Sequence, residues 1–209
     1  GLSLAQAHIV AGQAETVLLI CTEKMSSIID WTDRSTCVLF GDGAGAAVIQ
    51  RGSESSGQIL SSFMRSDGTL AELLYRPAGG ARVPLDIAVL DERSHYVKMA
   101  GPEGFKSAVR SMCEAAEGAL RRAGISGEEI DLLVPHQANM RITEATAKYA
   151  GIPMEKVFVN VDRYGNMSSA SVPVALDEAR ECRKLGEGAL ILMVAFGAGF
   201  TWAANVIRA

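Results

Sequence analysis

The sequence contains no apolar run long enough to cross a bilayer, and its opening shows no charged-then-apolar pattern of a secretory leader. A membrane protein and a secreted one are therefore not expected. It also lacks any run of Lys or Arg, and its net charge is −4, which argues against a general nucleic-acid binder. Cysteine is scarce: Cys21, Cys37, Cys113 and Cys182 are scattered, with no Cys-x-x-Cys pair. Three of them fall in apolar strand-like or helix-like patterns, which predicts buried, reduced thiols in a cytoplasmic protein and no disulfide frame. No metal site is expected. What remains is a chain of 209 residues, 48% hydrophobic and 21% charged, with 21 glycines. That composition suits a soluble globular fold of one domain or two small ones.

The pattern along the chain alternates helix and strand, so an α/β fold is predicted. Residues 2–11 have helical spacing and stop at Gly12. Residues 16–21 form a continuous apolar run, as in a strand buried on both faces. Residues 36–40 and 46–50 read as a strand pair joined by the turn Gly41-Asp-Gly-Ala-Gly45, with Asp42 accepting backbone N–H bonds there. Residues 51–93, rich in Gly, Ser and Pro, predict loops and short strands. From Pro102 a long amphipathic helix places Phe105, Val109, Met112, Ala116 and Leu120 on one face. Ser126 and Glu129 have capping-box spacing. A helix over 138–149 and another over 168–185, with Pro173 in its first turns, follow two apolar strands at 130–134 and 156–161. Residues 189–196 and 201–207 close the chain as strands around Gly197-Ala-Gly199. The order strand, Phe-Gly-x-Gly, strand therefore occurs twice, at Phe40 and at Phe196. It suggests two copies of one layered unit, the first incomplete.

Two of these strands end on a polar side chain. His136 follows 130–134, and Asn166 follows 156–161 and precedes a Ser-rich helix start. Strand carboxyl ends are where open α/β sheets build their sites, and a His and an Asn converging there can donate to one developing oxyanion. Read alone, His136 fits equally a satisfied core histidine and Asn166 a turn or cap. Asn139 either caps the next helix or positions His136 or the substrate amide. His8 and His95 carry no signal. The glycines of Gly41–Gly45 lie between strands and open no helix, so a nucleotide-phosphate site is not expected there.

A set of motifs in fixed order resembles a known family. They are Asp33-Arg34, Phe40-Gly-Asp-Gly-Ala-Gly-Ala-Ala-Val48, Met99-Ala-Gly101 with Phe105-Lys106, and Val134-Pro-His-Gln-Ala-Asn139 with Arg141. Gly165-Asn166 with Ser169-Ala-Ser-Val-Pro173, and Phe196-Gly-Ala-Gly-Phe-Thr-Trp202, complete it. The sequence resembles the β-ketoacyl-acyl-carrier-protein synthase III branch of the thiolase-fold condensing enzymes. The resemblance implies a layered α-β-α-β-α fold, with residues 1–57 the end of an incomplete N-terminal half and 58–209 the C-terminal half. It implies an acyltransferase of fatty-acid and lipid metabolism that joins the acyl group of an acyl-CoA, acetyl-CoA first, to malonyl-acyl-carrier protein with loss of CO₂. Coenzyme A thioester is then a substrate and no cofactor is expected. The intact enzyme is expected to be a cytoplasmic homodimer that binds neither nucleic acid nor membrane.

Carried over by motif, His136 and Asn166 hold the malonyl thioester oxygen. The backbone N–H at Ala198 serves the second oxyanion, provided its φ is negative. Arg34, Asn139 and Met99 contact substrate. Lys106, Arg141 and Lys148 steer an acidic carrier protein. The family's nucleophilic Cys falls just before the position of Gly1, and none of the four cysteines present stands in its context. The sequence therefore reads as a fragment that does not condense substrates alone. Related readings stay open: a polyketide starter synthase, another thiolase-fold acyltransferase, or a non-catalytic fragment that binds carrier protein.

Overall fold

The computed structural model describes residues 1–52, 57–183 and 185–209. Residues 53–56, just before the expected junction at 57/58, and Lys184, within the helix predicted over 168–185, lie outside the described residues. In chain order the elements are α1 (Leu2–Val10), β1 (Thr16–Glu23), β2 (Gly43–Gln50), β3 (Gln58–Ser66), β4 (Leu74–Tyr75), α2 (Ile87–Asp91), β5 (Lys98–Met99) and α3 (Gly101–Ala123). They continue with β6 (Leu132–Pro135), α4 (Met140–Tyr149), α5 (Val161–Tyr164), α6 (Ser171–Arg183), β7 (Leu190–Gly197) and β8 (Thr201–Arg208).

The central sheet has the order β3-β8-β7-β6, with β6 and β7 parallel and the other pairs antiparallel. Successive residues of a strand point to opposite faces, and here both faces are covered. Leu133, Leu192 and Val194 pack with Met112, Ala116 and Leu120 of α3 and with Ile142 of α4. Leu132, Val134, Ile191 and Met193 pack with Ala175 and Ala179 of α6, and Leu2 of α1 joins them. The apolar runs at 130–134 and 189–196 lacked alternation because neither strand has a wet face. Beyond α1 and α6 lies the antiparallel ribbon β1–β2. Its inner face meets the helices, and its outer face leaves Leu18, Ile20 and Val48 between 58 and 66% exposed. The layers thus run helices, sheet, helices, ribbon, which is the α/β layering expected from the sequence.

Local signals were reliable where the chain contacts itself nearby. The capping box at Ser126 forms, with its backbone N–H donating to Glu129 Oε2 at 2.8 Å, and it heads a short 3₁₀ turn. Four expectations are corrected. Residues 16–21, read as a strand buried on both faces, form β1 with Leu18 and Ile20 exposed, because the ribbon packs on helices by one face. Residues 36–39 are turns and Phe40 makes a single bridge to Asn166, because Asp33 accepts hydrogen bonds from the backbone and hydroxyl of Ser35 and the hydroxyl of Thr36, winding the chain locally. The first Phe-Gly-x-Gly is therefore no hairpin; β2 begins inside it and pairs with β1 instead. Residues 154–156 form a 3₁₀ turn and 161–164 a short helix, leaving one bridge, Leu133↔Val157, where a full strand was predicted. The segment 51–93, read as loops and short strands, supplies the nine-residue β3 of the main sheet and also a helix, α2. The thiols differ too: Cys113 is buried, Cys21 and Cys37 are half-buried, and Cys182 is exposed.

Candidate active site

A cleft of about 1010 Å³ opens at the carboxyl ends of β6 and β7. His136, Asn166, Asn139, Met99, Ala198 and Phe196 all line it. Outside the cleft lining, a bidentate ion pair, Arg93 Nε to Asp30 Oδ2 at 2.8 Å and Nη2 to Oδ1 at 2.5 Å, ties the segment after α2 to the loop after β1. Arg93 also lies over the Tyr96 ring, at 4.9 Å from its centroid.

His136 stands at the end of β6 because its backbone continues the parallel ladder, its N–H donating to Val194 O at 2.7 Å. The imidazole is 7% exposed and meets the edge of the Phe196 ring, centroids 5.5 Å apart. Burial pushes its pKa down from 6.5 to about 4, because a charged ring would lose its hydration. At neutral pH the ring is uncharged and carries one N–H donor.

Asn166 is held by backbone pairing across to the loop before β2. Its N–H donates to Leu39 O at 2.8 Å, and its C=O accepts from Gly41 at 3.0 Å. The side-chain Oδ1 accepts from Ser168 N–H at 2.8 Å, which leaves the NH₂ as the end available to a ligand in the cleft. The turn-forming reading of this Asn and the site reading thus describe one geometry. Gly41 must be glycine here, since a Cβ would sit 2.1 Å from Tyr164 O. Asn139 is the N-cap of α4, its Oδ1 accepting from Arg141 N–H at 2.9 Å, and the residue also lines the cleft.

Ala198 sits in the β7–β8 turn with no positive φ, the condition set for it above. Arg141 meets a residue of the cleft lining, and Lys106 follows that residue in the sequence. Arg141 lies over the Phe105 ring at 4.9 Å, Phe105 lines the cleft, and Lys106 is its exposed neighbour. Lys148 is exposed near the far end of α4, about two helical turns from Arg141 and away from the cleft lining. Arg34 is exposed in the loop beside Trp31 and does not line the cleft either. Asp42 is structural, but across the chain: its carboxylate accepts from Ser26 N–H and Oγ. No cysteine lines the cleft, and among the described residues no cluster of His, Cys, Asp or Glu could hold a metal. Two contributors were missed in the sequence. Phe196 packs on the catalytic candidate and was visible only as part of a motif. Glu178 binds Arg163 and Tyr164, and no local pattern marks it.

The His136 burial has a stability consequence. The unfolded ring titrates near 6.5 and the folded ring near 4, so the unfolded chain binds the proton first as pH falls. Stability from this group is full above pH 6.5 and declines through the window down to 4. The loss amounts to about 3 kcal/mol at the lower end. Urea unfolding of the protein and of His136→Gln should therefore converge by that amount between pH 7 and 4. Parallel pH profiles would mean that the ring is not buried as described.

The sequence matches two profiles of one family, "3-Oxoacyl-[acyl-carrier-protein (ACP)] synthase III" over residues 1–68 and its C-terminal counterpart over 120–209. It is 49% identical over 208 residues to the β-ketoacyl-[acyl-carrier-protein] synthase III of Caldanaerobacter subterraneus, covering 100% of this chain and 62% of that protein. Among solved structures it is similar to 3-oxoacyl-[acyl-carrier-protein] synthase III from Aquifex aeolicus, at 48% identity and a TM-score of 0.88 over 100% of this chain and 62% of that one. The Thermus thermophilus enzyme gives 45% identity and a TM-score of 0.90, covering 100% and 63%. The chain therefore spans less than two thirds of the length of these relatives. Among the described residues no helix is long and apolar enough to cross a membrane.

Proposed function

Since this chain belongs to the 3-oxoacyl-[acyl-carrier-protein] synthase III family, we propose that it supplies the enolate-stabilising part of an acyltransferase that condenses an acyl-CoA with malonyl-acyl-carrier protein. The acyl donor is acetyl-CoA, and the reaction opens fatty-acid synthesis. The observation that carries this reading is the pairing of a neutral, buried imidazole with a side-chain amide on one largely apolar cleft.

His136 and Asn166 donate hydrogen bonds to the thioester oxygen of the malonyl group. When the C–C bond to the carboxylate breaks, its electron pair moves into the thioester as an enolate, CO₂ leaves, and the two donors hold the oxygen that gains charge. The enolate carbon then attacks an acyl thioester held on a thiol. The new oxyanion is met by the backbone N–H at Ala198, and the thiolate departs as the 3-oxoacyl product forms. Met99 lines the acyl path, Asn139 meets the substrate amide, and Arg34 meets the nucleotide end of CoA. Arg141, stacked on Phe105 at the cleft, and the exposed Lys106 dock the acidic carrier protein; Lys148 adds long-range attraction at most. The junction between the two halves falls near residue 57, a placement supported by β3, which enters the four-stranded sheet directly after it. The functional enzyme is a homodimer in this reading.

Intact-protein mass after incubation with acetyl-CoA tests the assignment. This chain alone should gain no acetyl group, because none of its thiols lines the cleft. A full-length protein in which the rest of the family's length is supplied should carry a stable acetyl adduct outside these four cysteines. An adduct on Cys21, Cys37, Cys113 or Cys182 would move the nucleophile and overturn the proposed site.

A further inference from the structure

His136 and Asn166 reach the cleft on separate segments, one after β6 and the other after α5. The backbones of those segments meet at the bridge Leu133↔Val157 and at the bond from Phe158 N–H to Leu133 O at 2.9 Å, several residues short of Asn166. Oxyanion stabilisation by two donors needs their spacing fixed closely, since a displacement of about 1 Å can cost on the order of 100-fold. A tie nearer to the two donors is supplied by a side chain.

Gln137 lies between them, 1% exposed, with the whole amide engaged. Its Nε2 donates to Pro135 O at 2.8 Å, the residue before His136, and to Phe158 O at 3.2 Å. Its Oε1 accepts from the backbone N–H of Asn160 at 3.0 Å. One side chain thus reads two carbonyls and one N–H spread over both segments, a pattern that only a primary amide of this length satisfies. The constraint continues outward. The Asn160 side chain is fully buried, and its Nδ2 donates to Glu178 Oε2 at 2.8 Å. The same carboxylate takes Arg163 Nη2 at 2.7 Å and Tyr164 OH at 2.6 Å, two residues before Asn166. Asn160 Oδ1 is buried without a partner, so the Glu178 contact decides which way that amide faces.

We propose that Gln137 is a positioning residue that sets His136 and Asn166 in mutual register, with Asn160 and Glu178 relaying the constraint to Asn166. The inference rests on the reading of His136 and Asn166 as donors to the enolate oxygen. It assigns the buried glutamine of the Pro-His-Gln-Ala-Asn motif a task distinct from theirs, since its amide is spent entirely on protein and none of it is left for substrate.

The test is decarboxylation of malonyl-CoA by the full-length protein, comparing Gln137→Met, Glu178→Gln, His136→Ala and Asn166→Ala. Methionine keeps the length and removes all three hydrogen bonds. Gln137→Met is expected to lower kcat by about 10- to 100-fold with KM unchanged. Glu178→Gln, on the half-buried face of α6, should give a smaller loss in the same direction. In Gln137→Met the ¹⁵N signals of His136, one of three histidines, should shift while those of His8 and His95 stay. The double variant Gln137→Met/Asn166→Ala should be no slower than Asn166→Ala, because register is worthless once one donor is gone. Full activity of Gln137→Met, a loss carried by KM, or additive losses in the double variant would overturn the proposal. If His136→Ala also proves silent, the site assignment itself fails; if His136→Ala is crippled and Gln137→Met is not, only the positioning role does. Should Gln137→Met fail to fold by thermal melt, Glu178→Gln decides alone: a kcat loss supports the relay, and unchanged kcat ends it.

Discussion

Replacing His136 by alanine should slow decarboxylation of a malonyl thioester by about 10²–10³-fold, the effect of removing one preorganised donor from an oxyanion site. The size follows from the surroundings. The ring is buried, edge-on to Phe196, and uncharged, so its N–H acts in a dry site where a dipole is worth far more than in water. Asn166→Ala should cost a similar factor. The double variant should lose less than the product of the two, since both donors serve one oxygen and the second has little left to hold once the first is gone. Asn166→Asp should be worse than Asn166→Ala, because a carboxylate would face the enolate with like charge. Acetylation of the full-length protein should survive all of these changes. The measurement is CO₂ release from malonyl-CoA beside acetyl-adduct formation. Undiminished CO₂ release in His136→Ala would remove the assignment.

The second large effect is expected at a glycine with no side chain to lose. Gly41→Ala would place a methyl 2.1 Å from the carbonyl oxygen of Tyr164, which is backbone and cannot rotate aside. To relieve the clash the loop before β2 must separate from 164–167. That would break the pairing of Leu39 and Gly41 with Asn166. A loss of about 3 kcal/mol, at the top of the ordinary range for overpacking, is expected. Decarboxylation should fall with it, because Asn166 is carried by the displaced strip. Gly68→Ala is the matched control: a methyl there meets nothing within 4 Å, so its stability should stay close to the parent's. Thermal and urea unfolding of the two variants check this, and equal midpoints would show that the close approach at Gly41 is absent.

The Gly41 case also shows why some of the molecule could be read in the sequence and some could not. The glycines of Gly41-Asp-Gly-Ala-Gly45 were read as a hairpin turn, the usual meaning of such a string. Here they are glycine because other chain passes over them: Tyr164 at Gly41, Met167 at Gly43 and Pro173 at Gly45. Nothing within a few residues reports that crossing. β3 was overlooked for a related reason. Its polar Ser61 is buried because its hydroxyl donates to Ala119 O at 2.8 Å, and its pairing partner β8 lies at the opposite end of the sequence. By contrast α3 could be read outright, since its buried stripe repeats at helical spacing within one element. The site divides the same way. His136 and Asn166 were marked by their motifs and by their place after apolar runs. Gln137 stood in plain view within one of those motifs, yet its task depends on where Phe158 and Asn160 run. Lys148 was grouped with Arg141 because both are basic and belong to one helix, and only the helix length separates them.

The burial of His136 carries one last implication, for the direction of flux. A centre whose imidazole titrates near 4 offers no base matched to neutral pH, so it is poorly suited to removing a C–H proton. In the proposed reaction the carbanion comes instead from scission of a C–C bond, with no proton to abstract. The co-product is a gas that diffuses away, and the reverse step would require recapturing it. An uncharged donor pair of this kind is thus matched to a committed, one-way entry step, and not to an equilibrium that the cell could run backwards.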